Sequence, residues 1–231
     1  SVFGERFHSA LLGPLPNGGK QLLVYPGAVP ANGVLPSGGT ARSNLNVALD
    51  NVANHPNVGP FISRLLIQRF VTSNPSAAYI SRVATVFNTA PRGNLRNVVK
   101  AILMDAEARR PTALNPGKLR EPLLRLTQLY RAFDANSRDS SNNFITNGIG
   151  RIFEYPNYWM AQAPVSAPTV FNFYLPNYKL PGETTTLNLF SPEFQITTET
   201  TITNASNEYT VWAALYHIGA WPDAPADRIF F

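Results

Sequence analysis

The sequence predicts a mainly α-helical fold: a multi-helix core that carries long irregular arms rich in aromatic residues and proline, with a few short strands. Apolar residues recur at helical spacing between residues 43 and 134. Residues 1–42 and 135–190 show no such period. The 231-residue chain contains 20 prolines and 15 glycines, residue types that favour loops over helices. Aromatic residues make up 11% of the chain, enough to anchor these arms as ordered loops.

This pattern divides one domain into four parts. They are an irregular N-terminal arm with a short strand, a helical core, a long irregular segment and a C-terminal helical segment: 1–42, 43–134, 135–190 and 191–231. Irregular segments of about forty and fifty-five residues are uncommon in a self-sufficient domain. We therefore expect this domain to be part of a larger protein.

The first strand and the first helix are predicted from short sequence patterns. The strand is expected from Gln21 to Tyr25, before a meander rich in proline and glycine. The helix follows from apolar residues at i, i+3, i+4 and i+7, namely Leu45, Ala48, Leu49 and Val52. Ser43 or Asn44 is expected to cap this helix.

The stretch from His55 to Asn88 predicts two helices joined by a corner. Pro60 suits the first helical turn, and the apolar face comprises Phe61, Ile62, Leu65, Leu66 and Phe70. Asn74 is expected to cap the next helix, with Pro75 at its first position. Replacing Asn74 with alanine would then cost about 1 kcal/mol. The buried face of the second helix is expected to be Tyr79, Ile80, Val83, Val86 and Phe87.

Three further helices follow. Two belong to the core, with apolar faces formed by Leu95, Val98, Val99, Ile102 and Leu103, and by Leu119, Leu123, Leu126, Tyr130 and Phe133. The last helix is expected to begin with Ser191 as its cap, Pro192 at its first position and Glu193 in its first turn.

Composition excludes several classes of protein. The net charge is +5, from fifteen arginines and four lysines against 14 acidic residues, but the longest basic cluster is Arg109-Arg110, so nucleic-acid binding is not expected. The absence of cysteine excludes disulfides and cysteine-bound metals. No apolar run reaches the roughly 20 residues of a membrane span.

Five stretches identify a family resemblance: LDNVANHPNVGPFISRLLIQRFVTSNPSAAYISRVATVFN, RGNLRNVVKAILMDAEAR, GKLREPLLRL, APTVFNFYLPNY and SPEFQI. In this order they resemble the C-terminal half of the bacterial family called domain of unknown function 1800. The resemblance implies longer relatives, about twice this length, without an established activity. It also implies export to the periplasm, the cell surface or the exterior, and the start at Ser1 without a signal-like segment suggests an export signal already removed.

Candidates for catalysis are few: His8, His55 and Glu121. None of the histidines has a second ligand at metal-binding spacing, so neither a metal nor a cofactor is expected. Family members usually carry an acidic residue after the first of these histidines, where this chain has Ser9, which weakens a role for His8. His55 precedes proline, so capping a loop is the alternative to catalysis.

One polar cluster is the best candidate for binding a ligand. Its members are Arg64, Gln68, Arg69, Lys118 and Arg120, with Glu121 beside them. Arg64 and Gln68 share a helix face at i, i+4. If the two helices present these groups to one cleft, an anionic or sugar-like ligand could bind there. The alternative is an Arg–Glu network that holds the helices to the irregular arms.

The stretch VFNFYLPNY is the candidate for binding a partner, through Phe171, Phe173, Tyr174 and Tyr178. Aromatic residues among Asn and Pro suit stacking on carbohydrate or on another protein. The alternative is that these residues anchor a long loop without any ligand.

Two functions follow as hypotheses. The first is an exported structural or assembly subunit that packs through aromatic loops on a protein partner, on copies of itself or on its own N-terminal half. The second is an exported enzyme that acts on polysaccharide or another polymer, with a site shared with that half. Open, convergent polar groups would favour the enzyme, and paired, buried ones the subunit. The first hypothesis also requires an exposed apolar patch larger than a few hundred Å².

Overall fold

The computed structural model describes residues 19–110, 117–132, 136–137, 159–170, 172–210 and 229–230. The fold is mainly α-helical, as the sequence predicts. The chain forms two compact units, one comprising Ser1–Ile67 and Ser76–Arg109, the other Gln68–Pro75 and Arg110–Phe231. The division into four sequence parts stays a prediction.

The first unit contains a small hairpin and a series of helices. These are β1 (Lys20–Gln21), β2 (Val34–Leu35), α1 (Ala41–Ala53), α2 (Val58–Phe70, whose last three residues belong to the second unit), α3 (Ala77–Asn88), α4 (Leu95–Met104) and α5 (Ala106–Arg109). Strands β1 and β2 are antiparallel, with Lys20 opposite Leu35. The predicted strand is therefore shorter than expected and begins one residue earlier, while helix α2 begins two residues before Pro60.

Helix α1 packs against the hairpin with its polar face, which corrects the sequence prediction. Asn51 is buried, and its side-chain amide donates to Leu23 O at 3.0 Å while its oxygen accepts from Leu23 N at 3.2 Å. The predicted apolar residues Leu49 and Val52 are exposed instead. The cap also differs, because Thr40 Oγ1 accepts the hydrogen bond from Ser43 N. Polar contacts, rather than apolar burial, thus set the orientation of α1.

The core of the first unit lies between α3 and α4, as their periodicity predicts. Its buried side chains are Tyr79, Val83, Phe87, Val98 and Ile102. The Tyr79 hydroxyl donates to Ile102 O at 2.6 Å, and burial raises the pKa of this hydroxyl. Two flanking residues of the predicted α4 face, Leu95 and Leu103, remain exposed, so the buried stripe is narrower than expected.

Ser76, and not Asn74, caps α3. Ser76 Oγ accepts from Tyr79 N at 3.0 Å and donates to Glu107 Oε2 at 2.6 Å. Glu107 also accepts from Ser76 N at 3.0 Å, so the α5 carboxylate holds the start of α3. The predicted cap at Asn74 is wrong because that side chain is engaged elsewhere.

Asn74 binds the backbone of a distant residue in the second unit. Its amide donates to Phe190 O at 2.8 Å, and its oxygen accepts from Phe190 N at 2.7 Å. The side chain thus satisfies both polar backbone groups of Phe190, as a neighbouring strand would.

The described residues of the second unit form two longer helices, two short helical segments and one strand pair. These are α6 (Pro122–Ala132), β3 (Asn136–Ser137), α7 (Glu183–Thr186), a 3₁₀ turn (Pro192–Gln195), α8 (Glu199–Thr210) and β4 (Ile229–Phe230), with β3 and β4 antiparallel. Helix α6 buries Leu126 and Tyr130 as predicted, whereas Phe133 lies outside the described residues.

The predicted last helix is divided. Pro192 begins only a 3₁₀ turn, and α8 starts separately at Glu199. The Ser191 hydroxyl does not cap this turn but accepts from Leu180 N at 2.7 Å. Glu193, expected in the first turn of this helix, lies in the 3₁₀ turn and is fully buried. Across the described residues, no helix has the length and apolar character needed to cross a membrane.

Alanine substitutions can separate the two roles at this corner. Ser76→Ala should lower the free energy of unfolding by about 1 kcal/mol through loss of the cap. Asn74→Ala should cost about 1–3 kcal/mol, because both polar backbone groups of Phe190 lose their partner. Denaturant melts measure both values. Hydrogen exchange at the Phe190 amide should accelerate only in the Asn74 variant, and equal acceleration in both variants would contradict this assignment.

Candidate functional site

A cavity of about 580 Å³ lies in the second unit. The end of α2, the backbone at Gly117 and one face of α6 border it. The lining residues are Arg69, Phe70, Val71, Gly117, Lys118, Arg120, Leu124, Thr127, Gln128 and Arg131. All four charged side chains in this lining are cations. Such a volume is in the range of small-molecule sites.

Local hydrogen bonds fix the wall of the cavity next to α2. Gly117 O accepts from Ser73 N at 3.1 Å and from Thr72 Oγ1 at 3.1 Å. Gly117 has φ of +104°, a conformation that side chains rarely adopt, so glycine suits this turn. The next residue, Lys118, donates from Nζ to Arg69 O at 2.8 Å and so satisfies a carbonyl at the end of α2.

Behind the cavity, Arg69 and Glu121 form the centre of a buried polar network. Arg69 Nη1 lies 2.5 Å from Glu121 Oε1 and also donates to the Tyr174 hydroxyl. The Arg69 guanidinium lies over the Tyr174 ring, 4.8 Å from its centroid. Gln162 Nε2 donates to Glu121 Oε2 at 2.5 Å, and Gln162 Oε1 accepts from Leu123 N at 3.1 Å. The carboxylate therefore has partners on both oxygens.

The network keeps Glu121 ionised. Burial alone would raise the pKa of Glu121, but hydrogen bonds from Tyr174, Arg69 and Gln162 outweigh it, so the pKa is lowered from its ordinary value. Burial, followed by the bond to Glu121, raises the pKa of the Tyr174 hydroxyl. Glu121 is thus a structural anion here, and Tyr174 a neutral donor.

A second buried ion pair joins Lys118 and Glu193. Lys118 Nζ lies 2.7 Å from Glu193 Oε1, and both side chains are largely buried. The Tyr174 hydroxyl lies 3.5 Å from the same oxygen, which links the two pairs. Within the described residues Glu193 Oε2 has no hydrogen-bond partner. Sequence reasoning missed this role, because no local pattern connects Glu193 with Lys118.

Arg120 and Arg131 are the remaining cations of the lining. Arg120 Nη1 donates to Gln128 Oε1, and both arginines are exposed. In the part of the chain that the structure describes, neither has a carboxylate within ion-pair distance. Gln128 and Arg131 were not predicted as ligand residues. The sequence does contain a pattern that could have identified them. A spacing of i, i+3, i+4 and i+7 places four residues on one face of α6: Leu124, Thr127, Gln128 and Arg131.

The cavity brings together three of the five predicted ligand residues: Arg69, Lys118 and Arg120. Gln68 is buried outside the lining and donates to Ser73 O at 2.9 Å and Pro176 O at 3.2 Å. Arg64 belongs to the first unit and is half-buried. Neither residue is among those that line this cavity, and their role in ligand binding stays a prediction.

His55, one of the predicted catalytic histidines, is not among the described residues that line this cavity. His55 lies in the first unit, where Nδ1 accepts from Asn57 N at 3.1 Å and the ring contacts Tyr25 edge-on. These are the contacts of a loop cap. His8 lies outside the described residues. Among the described residues, no group of three His, Cys, Asp or Glu side chains could hold a metal.

The predicted partner-binding aromatics have different environments. Tyr174 is buried in the network around Glu121, so it anchors its own segment and offers no surface to a partner. Phe173 and Tyr178 are half-buried, and Phe171 lies outside the described residues. Partner binding through Phe173 and Tyr178 stays a prediction.

The lowered pKa of Glu121 predicts a pH dependence of stability. Its contribution is present above the unfolded-state pKa, ordinarily 4.5, and is lost as the pH falls through the lower folded-state value. Glu121→Gln should therefore cost about 1–3 kcal/mol at pH 7. The difference in free energy of unfolding between wild type and variant, measured in denaturant melts, should become smaller below pH 4.5. The exposed Glu183→Gln serves as the control, and a difference that stays constant with pH would refute the prediction.

Tyr174→Phe tests the hydroxyl separately from the packing of the ring. The variant removes the bonds to Arg69 and Glu121, so the free energy of unfolding should fall by about 1.5–3 kcal/mol, as for bonds to charged groups. Thermal and denaturant melts would measure the loss. Tyr178→Phe is the control, because its hydroxyl bonds to no described residue. Equal effects of the two substitutions would show that the network is not stabilising.

Comparison with known proteins places the chain in a family. A family model described as "Protein of unknown function (DUF1800)" matches residues 18–229. No curated protein and no solved structure matches the chain. The family match covers most of the 231 residues, including the helices that border the cavity and the network behind it. The chain therefore belongs to the DUF1800 family of proteins of unknown function.

Proposed function

We propose that this protein is an exported assembly subunit that binds another protein surface through an apolar patch around α1. The patch is formed by Leu23 and Val24 of the hairpin arm and by Leu49 and Val52 of α1. Their exposed fractions are 51%, 64%, 57% and 53%. This group of exposed apolar side chains is the observation that carries the proposal.

The patch is a consequence of how α1 is held. Both polar backbone groups of Leu23 bond to the Asn51 side chain, and the Tyr25 hydroxyl donates to Asn51 O at 2.5 Å. Turning α1 to bury Leu49 and Val52 would break these bonds and leave buried polar groups without partners. The apolar face of the helix is therefore available for a partner.

The gain from covering the patch would be large enough to matter. Full burial of one aliphatic side chain contributes roughly 1.5–3 kcal/mol, and the four side chains here are about half-covered already. A protein surface is the suitable occupant, because it can offer aliphatic side chains at the centre and polar groups at the rim. Small polar ligands would leave these side chains in water.

The ion pairs of the second unit also support a structural role. A catalytic or open binding cluster would leave its polar groups free to meet a substrate. Arg69 and Lys118 instead bond to Glu121 and Glu193, and both carboxylates are buried. Tyr174 and Gln162 of the irregular segment bond to Arg69 and Glu121, so the network also connects this segment to α2 and to the residue before α6.

Export to the periplasm, the cell surface or the exterior remains part of the proposal. Its support is a charged fraction of only 14%, together with the family resemblance. Low charge suits a subunit whose surface is partly covered by other chains.

The variant Leu49→Ser with Val52→Ser tests the patch. In the wild type we expect binding of an apolar dye and association that increases with concentration or with a co-purified partner. The double variant should reduce both, without lowering the melting temperature, because these residues are already exposed. Sedimentation velocity and dye fluorescence are the measurements.

Leu187→Ser with Ile202→Ser is the matched control, since these apolar residues of the second unit are exposed to a similar degree. The control pair should leave association unchanged. A wild-type chain that stays monomeric and binds no dye would refute the proposal. Dye binding without self-association would instead identify a different chain as the partner.

A further inference from the structure

We propose that the basic cavity of the second unit binds an acidic oligosaccharide, a chain of sugars that carry carboxylate groups. The inference is independent of the assembly patch, which lies in the first unit. It rests on three features of the lining: two cations that have no carboxylate partner among the described residues, an exposed aromatic side chain, and neutral hydrogen-bonding groups on α6.

The first feature is uncompensated positive charge. Arg69 and Lys118 have carboxylate partners, whereas Arg120 and Arg131 have none among the described residues. Arg120 bonds to Gln128, and Gln128 lies one turn before Arg131 on the same helix face, so the two guanidinium groups share one region of the lining. An oxyanion bound there would relieve the repulsion between the two guanidinium groups. It could accept two parallel hydrogen bonds from either of them.

The second feature is an apolar wall next to these charges. Phe70 lines the cavity with an exposed fraction of 50%, beside Val71 and Leu124. A free inorganic anion would make no use of this wall. The apolar face of a sugar ring, in contrast, stacks well on an aromatic side chain.

The third feature is the neutral polar lining. Thr127 and Gln128 lie between Leu124 and Arg131 on the α6 stripe, and their hydroxyl and amide groups can bond to sugar hydroxyls. An acidic peptide would bring unpaired backbone groups as well. Among the described lining residues there is no strand edge to pair them, and Lys118 Nζ already bonds to the Arg69 carbonyl at the end of α2. The combination therefore favours an acidic glycan over a peptide.

Calorimetric titration of the full chain tests the proposal. The probes are an oligomer of galacturonic acid, a neutral galactose oligomer of equal length, a glutamate oligopeptide and inorganic phosphate. We expect binding of the uronic acid oligomer, weakening with added salt, and at least roughly tenfold weaker binding of each other probe.

Arg120→Gln with Arg131→Gln should weaken binding of the uronic acid oligomer by roughly tenfold or more, as loss of charge-assisted bonds predicts. The matched control is Arg42→Gln with Arg96→Gln, two exposed arginines of the first unit, which removes the same charge and should leave binding unchanged. Phe70→Ala should also weaken binding of the oligomer, because a sugar ring would lose the aromatic side chain on which it stacks. All these side chains are exposed, so melting curves should confirm that each variant folds.

Absence of binding to the uronic acid oligomer would overturn the proposal. Equal binding of the neutral oligomer would remove the role of the arginines, and equal binding of the peptide would identify a different class of ligand. Equal losses in the two arginine pairs would show only a general effect of net charge, which also refutes a site in this cavity.

Discussion

Long segments without regular structure carry backbone N–H and C=O groups that need hydrogen-bond partners once they are packed against helices. In this protein, side-chain amides meet that requirement. Asn51 bonds to both backbone groups of Leu23, and Asn74 to both groups of Phe190. Gln68 donates to Pro176 O and so satisfies the one polar backbone group that a proline has. An amide side chain offers a donor and an acceptor, like a peptide group, so it can replace a neighbouring strand.

This requirement explains where sequence periodicity succeeds and where it fails. Helices α3 and α4 pack on each other, so apolar burial decides their orientation, and their buried residues Tyr79, Val83 and Ile102 were predicted from spacing alone. Helix α1 packs on an irregular segment, so the hydrogen bonds of Asn51 decide its orientation and Leu49 faces outward. The apolar period is present in both sequences, but in α1 it does not mark the buried face. What differs is the kind of neighbour, and a helix pattern carries no information about that.

The candidate site shows the same limit at longer range. Arg69, Lys118 and Arg120 were predicted as a group because they lie in two short polar stretches, and the cavity does bring them together. Their partners Tyr174 and Glu193 lie far along the chain, and no local sequence pattern links them to these cations. Only the tertiary fold determines that these groups pair. The caps show a similar ambiguity at short range, since both Asn74 and Ser76 suit a helix start. The competing bonds to Phe190 decided between them.

The amide anchors recognise only main-chain atoms, and this has a consequence for how the sequence can vary. Any residue other than proline at position 23 or 190 presents the same N–H and C=O to Asn51 or Asn74. Attachment of the irregular arms therefore places almost no demand on the arm side chains at these positions. Such arms can acquire new side chains, and with them new binding surfaces, while remaining fixed to the same asparagines.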